Sequence, residues 1–437
     1  MREMKDSGVA WIGEIPTNWN VVRIKNLIAT RDGGAWGDEA SGKDGDMICL
    51  RIADFNYPQY RFDDKACLTI RHYKKDIINR LALKKGDILI EKSGGGEKTP
   101  VGRAVIFDKE YPALYANFMD RLRCKFTINP YWVLYNFANL YANNYTKPYI
   151  KQTTGIQNLD LQALMNSECF AMPPHELQNV ILENLEKDSM KVDTLITNNE
   201  TQIEKLKQYK QSLITEVVTR GLDPTVPMKD SGVEWIGKIP ETWDTIRVKQ
   251  LLKERKERST DGLEEPLSMS QKVGLVPTKM LDMIPNMASS FIGAKLTYVD
   301  DLVFNKLKAH LGVFSVSKYD GLVSPDYAVY YSTGKTHLKY LEYLFKTPQC
   351  ISEFRKRSTG VAAGLTRLYT DGLFAIECPF PDMEEQIALV EYLDTKCTQI
   401  DRLITIKQAK IEKLSQYKKS LIYEYVTGKK EAVSTSV

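Results

Sequence analysis

Hydrophobic residues recur at a seven-residue spacing in two long stretches of the chain. In the first stretch, the positions seven apart are Leu185, Val192, Asn199, Leu206 and Leu213. Further apolar residues fill the interleaved position, and neither Gly nor Pro interrupts the stretch. This pattern predicts a long helix whose seam packs against a partner helix as a coiled coil.

The second stretch repeats the pattern near the end of the chain. Its seam positions are Leu393, Ile400, Lys407, Leu414 and Leu421. Asn199 and Lys407 are polar at equivalent seam positions, which is typical of residues that fix helix register at some cost in stability. The alternative is that each stretch is one amphipathic helix packed on a globular core.

The segments that precede the two stretches carry signals of both strands and helices. Short aliphatic strands and their partner strands are predicted at 85–90, 101–107, 299–304 and 313–316. Helical spacing of aromatic and aliphatic residues is seen at 131–141 and 337–346. Each segment is therefore predicted to have an α+β fold with a sheet of short strands.

The chain also contains a long tandem repeat. Residues 4–28 and 228–252 are identical at 15 of 25 positions, and residues 196–219 and 404–427 at 15 of 24 positions. The segments between these ends differ, and the first is 16 residues longer. Similar ends around divergent centres indicate a common frame that presents two different surfaces.

The repeat and the helices predict four segments. These are a first α+β domain at 1–174, a first long helix at 175–220, a linker with a second α+β domain at 221–382, and a second long helix with a tail at 383–437. A helix of about 44 residues is about 65 Å long, whereas a linker of about ten residues spans at most about 35 Å. The second domain is therefore expected at the far end of the first helix, with the two helices antiparallel.

Composition and charge exclude several classes of protein. Hydrophobic residues make up 43% and charged residues 27%, as in soluble globular proteins. A net charge of +4 neither indicates nor excludes a nucleic-acid partner. Seven scattered Cys without a CxxC pair and no apolar leader after Met1 favour a cytoplasmic protein with reduced thiols. The longest uncharged run, 126–146, contains five Asn, so no membrane partner is expected.

Two motifs resemble catalytic sequences without completing them. In 94–99, Glu97 stands where a phosphate-binding loop needs Gly before its Lys. The run 129–132, Asn-Pro-Tyr-Trp, lacks the second Pro of the amino-methyltransferase motif, and no glycine-rich cofactor loop follows a predicted strand. No hydrolase or metal-ligand spacing is present. The chain is therefore predicted to have no catalytic or metal site of its own.

Polar and basic residues that suit nucleic acids lie in matching places before each long helix. Lys, Arg and hydroxyl side chains bind phosphates, and Gln, Asn and Arg can pair with base edges. The first set of candidates is Lys92, Ser93, Lys98, Thr99, Arg103, Lys151, Gln152, Thr153, Thr154, Gln157 and Asn158. The second set is Lys306, Lys308, His310, Arg355, Lys356, Arg357, Ser358, Thr359, Thr366 and Arg367. The same residues are equally typical of ordinary surface loops and turns.

Taken in order, these motifs resemble the specificity (S) subunits of type I restriction-modification enzymes. The matching motifs are the Trp-Ile-Gly-x-Ile-Pro heads at 11–19 and 235–243, Gly-Asp at 86–87, Thr-Gly at 154–155 and 359–360, Pro-x-x-x-x-Gln at 173–178 and 381–386, and the two Ile-Glu-Lys-Leu-x-Gln-Tyr-Lys helices. Each motif alone is weak, but their order, present twice, is specific. The resemblance covers essentially the whole chain.

The resemblance implies a non-catalytic subunit that reads DNA. Each α+β domain would be a target-recognition domain for one half of a bipartite site, and the helices would set the spacing. The implied partners are double-stranded DNA, two methyltransferase (M) subunits and restriction (R) subunits. S-adenosylmethionine, ATP and Mg would be bound by those partner subunits, and no cofactor by this chain. The alternative is a coiled-coil scaffold that joins protein partners without reading DNA.

Overall fold

The structure of the chain is a computed structural model that has two compact units. It describes residues 2–63, 68–153, 155–271, 273–281, 291–362 and 365–432, with the backbone alone at 153, 361, 362 and 365. Unit 1 comprises Met1–Glu200 and Gln408–Val437, and unit 2 comprises Thr201–Lys407. The fold is α+β, as predicted. The units cut across the predicted segments because each long helix contributes one part to each unit.

Several helices begin at a residue whose side chain caps them, as Asn129, Asp160 and Thr347 do. At the start of the first aromatic helix, the side-chain oxygen of Asn129 accepts the N–H of Tyr131 at 3.0 Å, and Pro130 takes the first helical position, where no N–H is needed. The helices are Lys75–Leu81, Pro130–Ala142, Leu161–Ser167, His175–Arg220, Val248–Leu251, Leu338–Phe345, Pro348–Arg357, Thr370–Phe374 and Met383–Val426. Short 3-10 turns lie at Ile24–Asn26, Ile52–Asp54, Tyr57–Gln59, Lys147–Tyr149, Thr278–Met280 and Ala309–Leu311.

Unit 1 is built on sheets of short strands. Its central sheet is antiparallel, in the order Ala104–Ile106, Ile88–Glu91, Met119–Cys124 and Ile28–Gly33. A second sheet has the order Ala113–Tyr115, Asp46–Leu50, Thr69–His72 and Asp38–Glu39, with its first pair parallel. A third has the order Ser93–Gly94, Ile156–Leu159 and Ile150–Thr153. The remaining pairs are Met4–Asp6 with Glu14–Pro16, Cys169–Met172 with Asn20–Arg23, and Phe55–Asn56 with Arg61–Phe62.

Unit 2 repeats the central sheet of unit 1. The order there is Phe314–Val316, Leu302–Asn305, Tyr327–Ser332 and Leu252–Glu254, again antiparallel. The other pairs are Met228–Asp230 with Lys238–Pro240, Asp244–Arg247 with Glu377–Phe380, Leu267–Ser270 with Gly274–Pro277, Lys295–Thr297 with Gly321–Val323, and Thr359–Ala362 with Leu365–Arg367. The central strands lie where the aliphatic runs predicted them, so this part of the prediction is confirmed.

The two central sheets also share a register. Ile88 is paired with Ile106 on one side and Leu122 on the other. Its counterpart Leu302 is paired with Val316 and Tyr330 in the same way. Positions paired in this shared register can therefore be matched between the two sheets, even where the residues differ.

The repeated ends of the sequence pack on each other inside each unit. In unit 1, the buried core joins the first head to the end of the second long helix, through Trp11, Ile12, Ile15, Trp19, Leu421, Ile422, Tyr425 and Val426. In unit 2, it joins the second head to the end of the first long helix, through Ile236, Ile239, Trp243, Leu213, Ile214, Val217 and Val218. Large apolar side chains thus leave water on both partners, which is the main force that closes each unit.

A glycine stands at each of these helix ends. Gly428 has a φ of +71°, and a side chain there would place its Cβ only 2.6 Å from Cδ of Pro16 and 3.0 Å from Trp19. Gly221 likewise has a φ of +78° and lies beside Trp243. A left-handed residue ends a helix readily only when it has no Cβ, and at Gly428 the packed head leaves no space for one.

Within each unit, the two long-helix segments run in opposite directions. In unit 1, Tyr425 donates to Asp188 at 3.0 Å, and Lys418 binds Asp193 at 2.7 Å. Unit 2 has equivalent contacts, between Lys210 and Asp401 at 2.6 Å and between Gln202 and Lys407. In both units the residue number falls along one segment as it rises along the other.

The predicted seam residues lie on the inward side of these segments. Those that are buried are Leu185, Val192, Asn199, Leu213, Leu393, Ile400 and Leu421, and those that are partly buried are Leu206, Lys407 and Leu414. The amide of Asn199 donates to the carbonyl of Leu195 in its own helix at 2.7 Å. Lys407 instead donates to Gln202 of the facing segment, so the two polar seam residues have different partners.

The segment after the second long helix is held by one carboxylate in unit 1. Asp188 accepts from Lys430 at 2.9 Å, from Tyr425 at 3.0 Å and from Lys191 at 3.2 Å. The hydrogen bond from Lys430 is the largest cause that lowers the pKa of Asp188 to about 2, against partial burial.

This pKa predicts a pH dependence of unit 1. Because it lies below the ordinary value of 3.8, Asp188 stabilises the folded unit above about pH 4, and this contribution is lost as the pH falls through about 2. We expect Asp188→Asn to abolish that part of the stability change, measured as the unfolding midpoint of unit 1 between pH 4 and 2. Asp76→Asn, an exposed carboxylate change in the same unit, is the control and should retain it. Equal acid dependence in both variants would contradict the prediction.

Candidate nucleic-acid interface

Two buried carboxylates hold the turns that lead into the central strands. Asp87 is 1% exposed and binds Arg123 through two hydrogen bonds of 2.6 and 2.7 Å. Asp301 is 2% exposed and binds Arg255 at 2.7 and 2.9 Å. Each also accepts the backbone N–H three residues earlier. The Gly-Asp motif is therefore a structural turn of the frame.

Two of the candidate cations near the glycine run 94–96, Lys92 and Arg103, form ion pairs within the unit. Arg103 binds Glu91 at 2.7 and 3.0 Å and lies 3.7 Å from the ring centre of Tyr57. Lys92 forms an ion pair with Asp120 at 2.8 Å. Both carboxylates are at most 2% exposed. These two candidate DNA contacts are therefore cations that balance buried anions inside the unit.

The glycine run itself is only partly a loop. Ser93–Gly94 is a short strand paired with Gln157 and Asn158, and the turn begins at Gly95, where φ is +64°. Lys98 and Thr99 are exposed in that turn. Within the described residues, Lys98 has no ion-pair partner, so it is the cation of this group that is available to a ligand.

The candidates at 151–158 lie on a hairpin and not in an irregular loop. The strands Ile150–Thr153 and Ile156–Leu159 form it. Gln157 is 7% exposed, and its side-chain oxygen accepts the N–H of Val101 at 3.2 Å, so it supports the fold. Lys151, Gln152 and Asn158 are exposed on the hairpin, and Lys151 binds Asp160 at 2.8 Å. Thr154 and the side chain of Thr153 lie outside the described residues.

The basic run at 355–357 also differs from the expected loop. These residues form the last turn of the helix Pro348–Arg357, and Lys356 and Arg357 both bind Glu353 one turn earlier. Burial raises the pKa of Glu353, but these ion pairs outweigh it and lower the pKa. Arg355 is exposed and makes no ion pair within the described residues.

The other candidates of unit 2 follow that helix or the central strand Leu302–Asn305. The hydroxyl of Ser358 donates to the carbonyl of Phe354, whereas Thr359 and Thr366 are exposed on the hairpin that follows. Lys308 is exposed, and Lys306 and His310 are half-buried. Arg367 binds Asp326 at 3.0 Å.

In each unit, the structure joins two candidate groups that the sequence left apart. The carbonyl of Lys92 accepts the N–H of Leu159 at 2.8 Å, and the carbonyl of Lys306 accepts the N–H of Leu368 at 3.0 Å. Each hairpin is therefore fixed beside the end of the equivalent central strand. We call residues 92–99 with the strands Ile150–Thr153 and Ile156–Leu159 the unit 1 face, and residues 306–310 with the strands Thr359–Ala362 and Leu365–Arg367 the unit 2 face.

One charged residue near the unit 2 face was missed by sequence reasoning. Lys295 is 7% exposed in the strand Lys295–Thr297, and its ammonium lies 3.4 Å from Glu254. The signal available in the sequence was a Lys inside the apolar run 291–296, which also suits an exposed strand position. Only the pairing of strands shows that this cation lies inside the protein.

Comparisons with known proteins agree with the resemblance. No family model matches the chain. The chain is 25% identical over 434 residues to the specificity subunit assigned to the type I restriction enzyme MjaX of Methanocaldococcus jannaschii, covering 96% of this chain and 95% of that protein. It is 24% identical over 437 residues to the MjaVIII specificity subunit of the same organism, covering 95% and 93%. The resemblance to type I specificity subunits is confirmed.

Solved structures from type I restriction-modification systems have a fold similar to that of this chain. A chain from a study of complex assembly and conformational transition of the type I restriction-modification system has a TM-score of 0.68 at 12% identity, covering 94% of this chain and 98% of that one. The HsdS subunit from Thermoanaerobacter tengcongensis has a TM-score of 0.52 at 13% identity, covering 95% and 98%. Within the described part of the chain, no helix is both long and apolar enough to cross a membrane.

The partners of Lys98 and Arg103 predict opposite effects of substitution. Arg103→Ala leaves Glu91 buried and unpaired, so we expect the free energy of unfolding of unit 1 to fall by about 3 kcal/mol. Lys98→Ala should change it by less than about 0.5 kcal/mol but should lower the salt dependence of duplex-DNA binding by about one phosphate equivalent. Denaturant unfolding and binding at several salt concentrations check both statements. Similar losses of stability in the two variants would refute this assignment.

Proposed function

We propose that the chain is the DNA sequence-recognition subunit of a type I restriction-modification complex. The observation that carries the proposal is a likeness to specificity subunits that covers at least 95% of this chain in both curated relatives. The duplicated frame supports it, because each unit places exposed Lys, Thr, Gln, Asn or Arg side chains beside the same end of its central sheet. Those side chains suit phosphates and base edges.

In this proposal each unit reads one half of a bipartite DNA site. The central sheets of the two units have the same strand order and register, whereas their faces carry different side chains. Lys151, Gln152 and Asn158 are exposed on the unit 1 face, and Thr359, Thr366 and Lys308 on the unit 2 face. Different donors and acceptors on equivalent supports would select different base sequences.

The proposed partners follow from the likeness to type I specificity subunits. Double-stranded DNA is the ligand of the two faces, and methyltransferase subunits, two in number, and restriction subunits complete the complex. The chain is proposed to bind and position DNA without catalysing a reaction. S-adenosylmethionine, ATP and Mg would then be held by the partner subunits.

The long helices are proposed to act as a coiled-coil spacer between the half-sites. Support comes from the antiparallel contacts in each unit and from the inward position of the seven-residue seam. Helices are stiff over their length and rise about 1.5 Å per residue, so they suit a fixed spacing.

The proposal predicts that the two half-sites can be exchanged separately. Replacing residues 30–170 with the first domain of another specificity subunit should change one half of the methylated motif and leave the other half unchanged. The measurement is the set of methylated adenines in cellular DNA. The reciprocal exchange of residues 254–376 is the matched control and should change only the other half.

Two outcomes would contradict the proposal. A change of both halves after one exchange would show that the units do not read independently. If the assembled complex shows no salt-dependent binding of duplex DNA, the chain is a scaffold that joins protein partners.

The spacer proposal makes its own prediction. One heptad added to each long helix, at matched positions of the facing segments, preserves the seam and adds about 10 Å of helix. The gap between half-sites should grow by about three base pairs, at roughly 3.4 Å per pair, and affinity should fall because the second half-site is rotated about the duplex axis. Mapping of methylated motifs gives the gap. An unchanged gap with full activity would assign the spacing to other subunits, and a heptad in one helix alone should lower stability.

A further inference from the structure

The matched central sheets place a Lys at the same position in each unit. The Lys of unit 1 has an ion-pair partner, whereas the Lys of unit 2 has none within the described residues. Lys92 directly follows the strand Ile88–Glu91, and Lys306 directly follows the equivalent strand Leu302–Asn305. Each accepts the N–H of a Leu at the base of its hairpin, so the two Lys occupy the same place in the frame.

The residue that neutralises the first Lys is missing beside the second. Asp120 lies opposite Ile90 on the neighbouring strand and forms ion pairs with Lys92 at 2.8 Å and with Arg31 at 2.6 Å. The equivalent residue in unit 2 lies opposite Phe304 and is Ala328. Within the described residues, Lys306 has no carboxylate at ion-pair distance.

The surroundings of Lys306 carry more positive than negative charge. The two other cations that act on it are Lys295 and Arg367, and the two carboxylates are Glu254 and Asp326. Glu254 already binds Lys295 at 3.4 Å and accepts from the hydroxyl of Thr370 at 2.8 Å. Asp326 already binds Arg367 at 3.0 Å. The third cation, Lys306, is therefore left without an anion.

A hydrogen-bond donor without an acceptor also indicates that an anion is missing from this group. Within the described residues, Nε of Arg367 is buried and has no hydrogen-bond partner. A buried guanidinium N–H without an acceptor is costly, and such a group in a native fold calls for an acceptor from outside the chain. Burial, and then the charges of Lys295 and Arg367, lower the pKa of Lys306, which an added anion would reverse.

We propose that Lys306, Lys295 and Arg367 form a phosphate notch that takes one backbone phosphate of duplex DNA at the half-site bound by unit 2. The inference rests on the proposed function, since it names the DNA contact of that same face. Lys306 is the residue that approaches the phosphate, because it is half-buried at the face, whereas Lys295 is almost fully buried and acts through its charge. Arg367 belongs to the hairpin and adds its charge beside Lys306.

The direct test compares two charge changes in the full chain. Lys306→Gln should lower the slope of binding against salt for a 30-base-pair duplex by about one phosphate equivalent. Lys318→Gln is the control, because Lys318 is exposed in the same unit, has no ion pair within the described residues, and follows the far end of the strand Phe314–Val316. Its slope should not change, and the unfolding midpoint of Lys306→Gln should not fall. Equal slopes in the two variants would overturn the proposal.

A second variant keeps Lys306 and gives it a carboxylate partner from within the chain. Ala328→Asp places a carboxylate where unit 1 has Asp120, so it should neutralise Lys306 and lower the salt slope as Lys306→Gln does. Adding Lys306→Gln to a folded Ala328→Asp chain should then cause no further loss. A full second loss would show that Lys306 acts elsewhere, and if Ala328→Asp does not fold, the Lys306→Gln comparison decides.

Binding of inorganic phosphate tests the notch independently of the proposed function. In a chain with isotopically dimethylated lysines, the resonance of Lys306, assigned with Lys306→Gln, should shift and its pKa should rise both with inorganic phosphate and with the duplex. A response to phosphate without a change in DNA salt slope would overturn the DNA assignment. No response to either ligand would overturn the notch. A chain that binds phosphate at Lys306 but binds no duplex at all would retain the notch and refute the proposed function.

Discussion

Each unit depends on the packing of a long-helix end against a tryptophan-containing head. Trp19 in unit 1 and Trp243 in unit 2 are at most 1% exposed, and each shares its core with apolar residues from the last turns of a long helix. The most similar parts of the repeat are therefore the parts that bury each other. The segments between them are free to differ because a central sheet with the same order and register supports both. This arrangement gives one frame and two different faces.

The two faces differ in how their cations are paired. In unit 1, Lys92 and Arg103 are balanced by carboxylates of neighbouring strands, so their charges stabilise the fold. In unit 2, the register places Ala328 where unit 1 has Asp120, and Lys306 remains without an anion within the described residues. The charges around this position therefore differ: Asp120 binds both Lys92 and Arg31 in unit 1, whereas unit 2 has Ala328 and Glu254 at the places of Asp120 and Arg31. Electrostatic differences of this kind change how strongly a polyanion is held at each face.

The proposed reading of DNA fits a division of labour inside each unit. Buried pairs such as Asp87 with Arg123 fix the turns of the frame, and the hairpin beside each central strand carries the exposed polar groups. Phosphate contacts orient a protein on a duplex, whereas base contacts select its sequence. In unit 2 the phosphate notch would supply orientation, and hydroxyl groups such as that of Thr366 remain available for selection.

The sequence by itself determined the features that depend on local spacing. The two long helices, the duplication and the aliphatic central strands all follow from periodic or repeated patterns, and the structure has them. Contacts between residues far apart in the sequence could not be predicted from such patterns. Examples are the ion pair of Lys92 with Asp120 and the hydrogen bond from Tyr423 to the carbonyl of Ile12, two residues that lie 411 positions apart. A different reason applies to 355–357: Glu353 lies only three and four residues before Lys356 and Arg357, but these ion pairs form only when the segment is helical, and the sequence pattern did not indicate a helix there. Tertiary structure alone decided which helix end each head receives and which cations keep a free charge, because strand pairing and core packing select partners by position in space and not by distance along the chain.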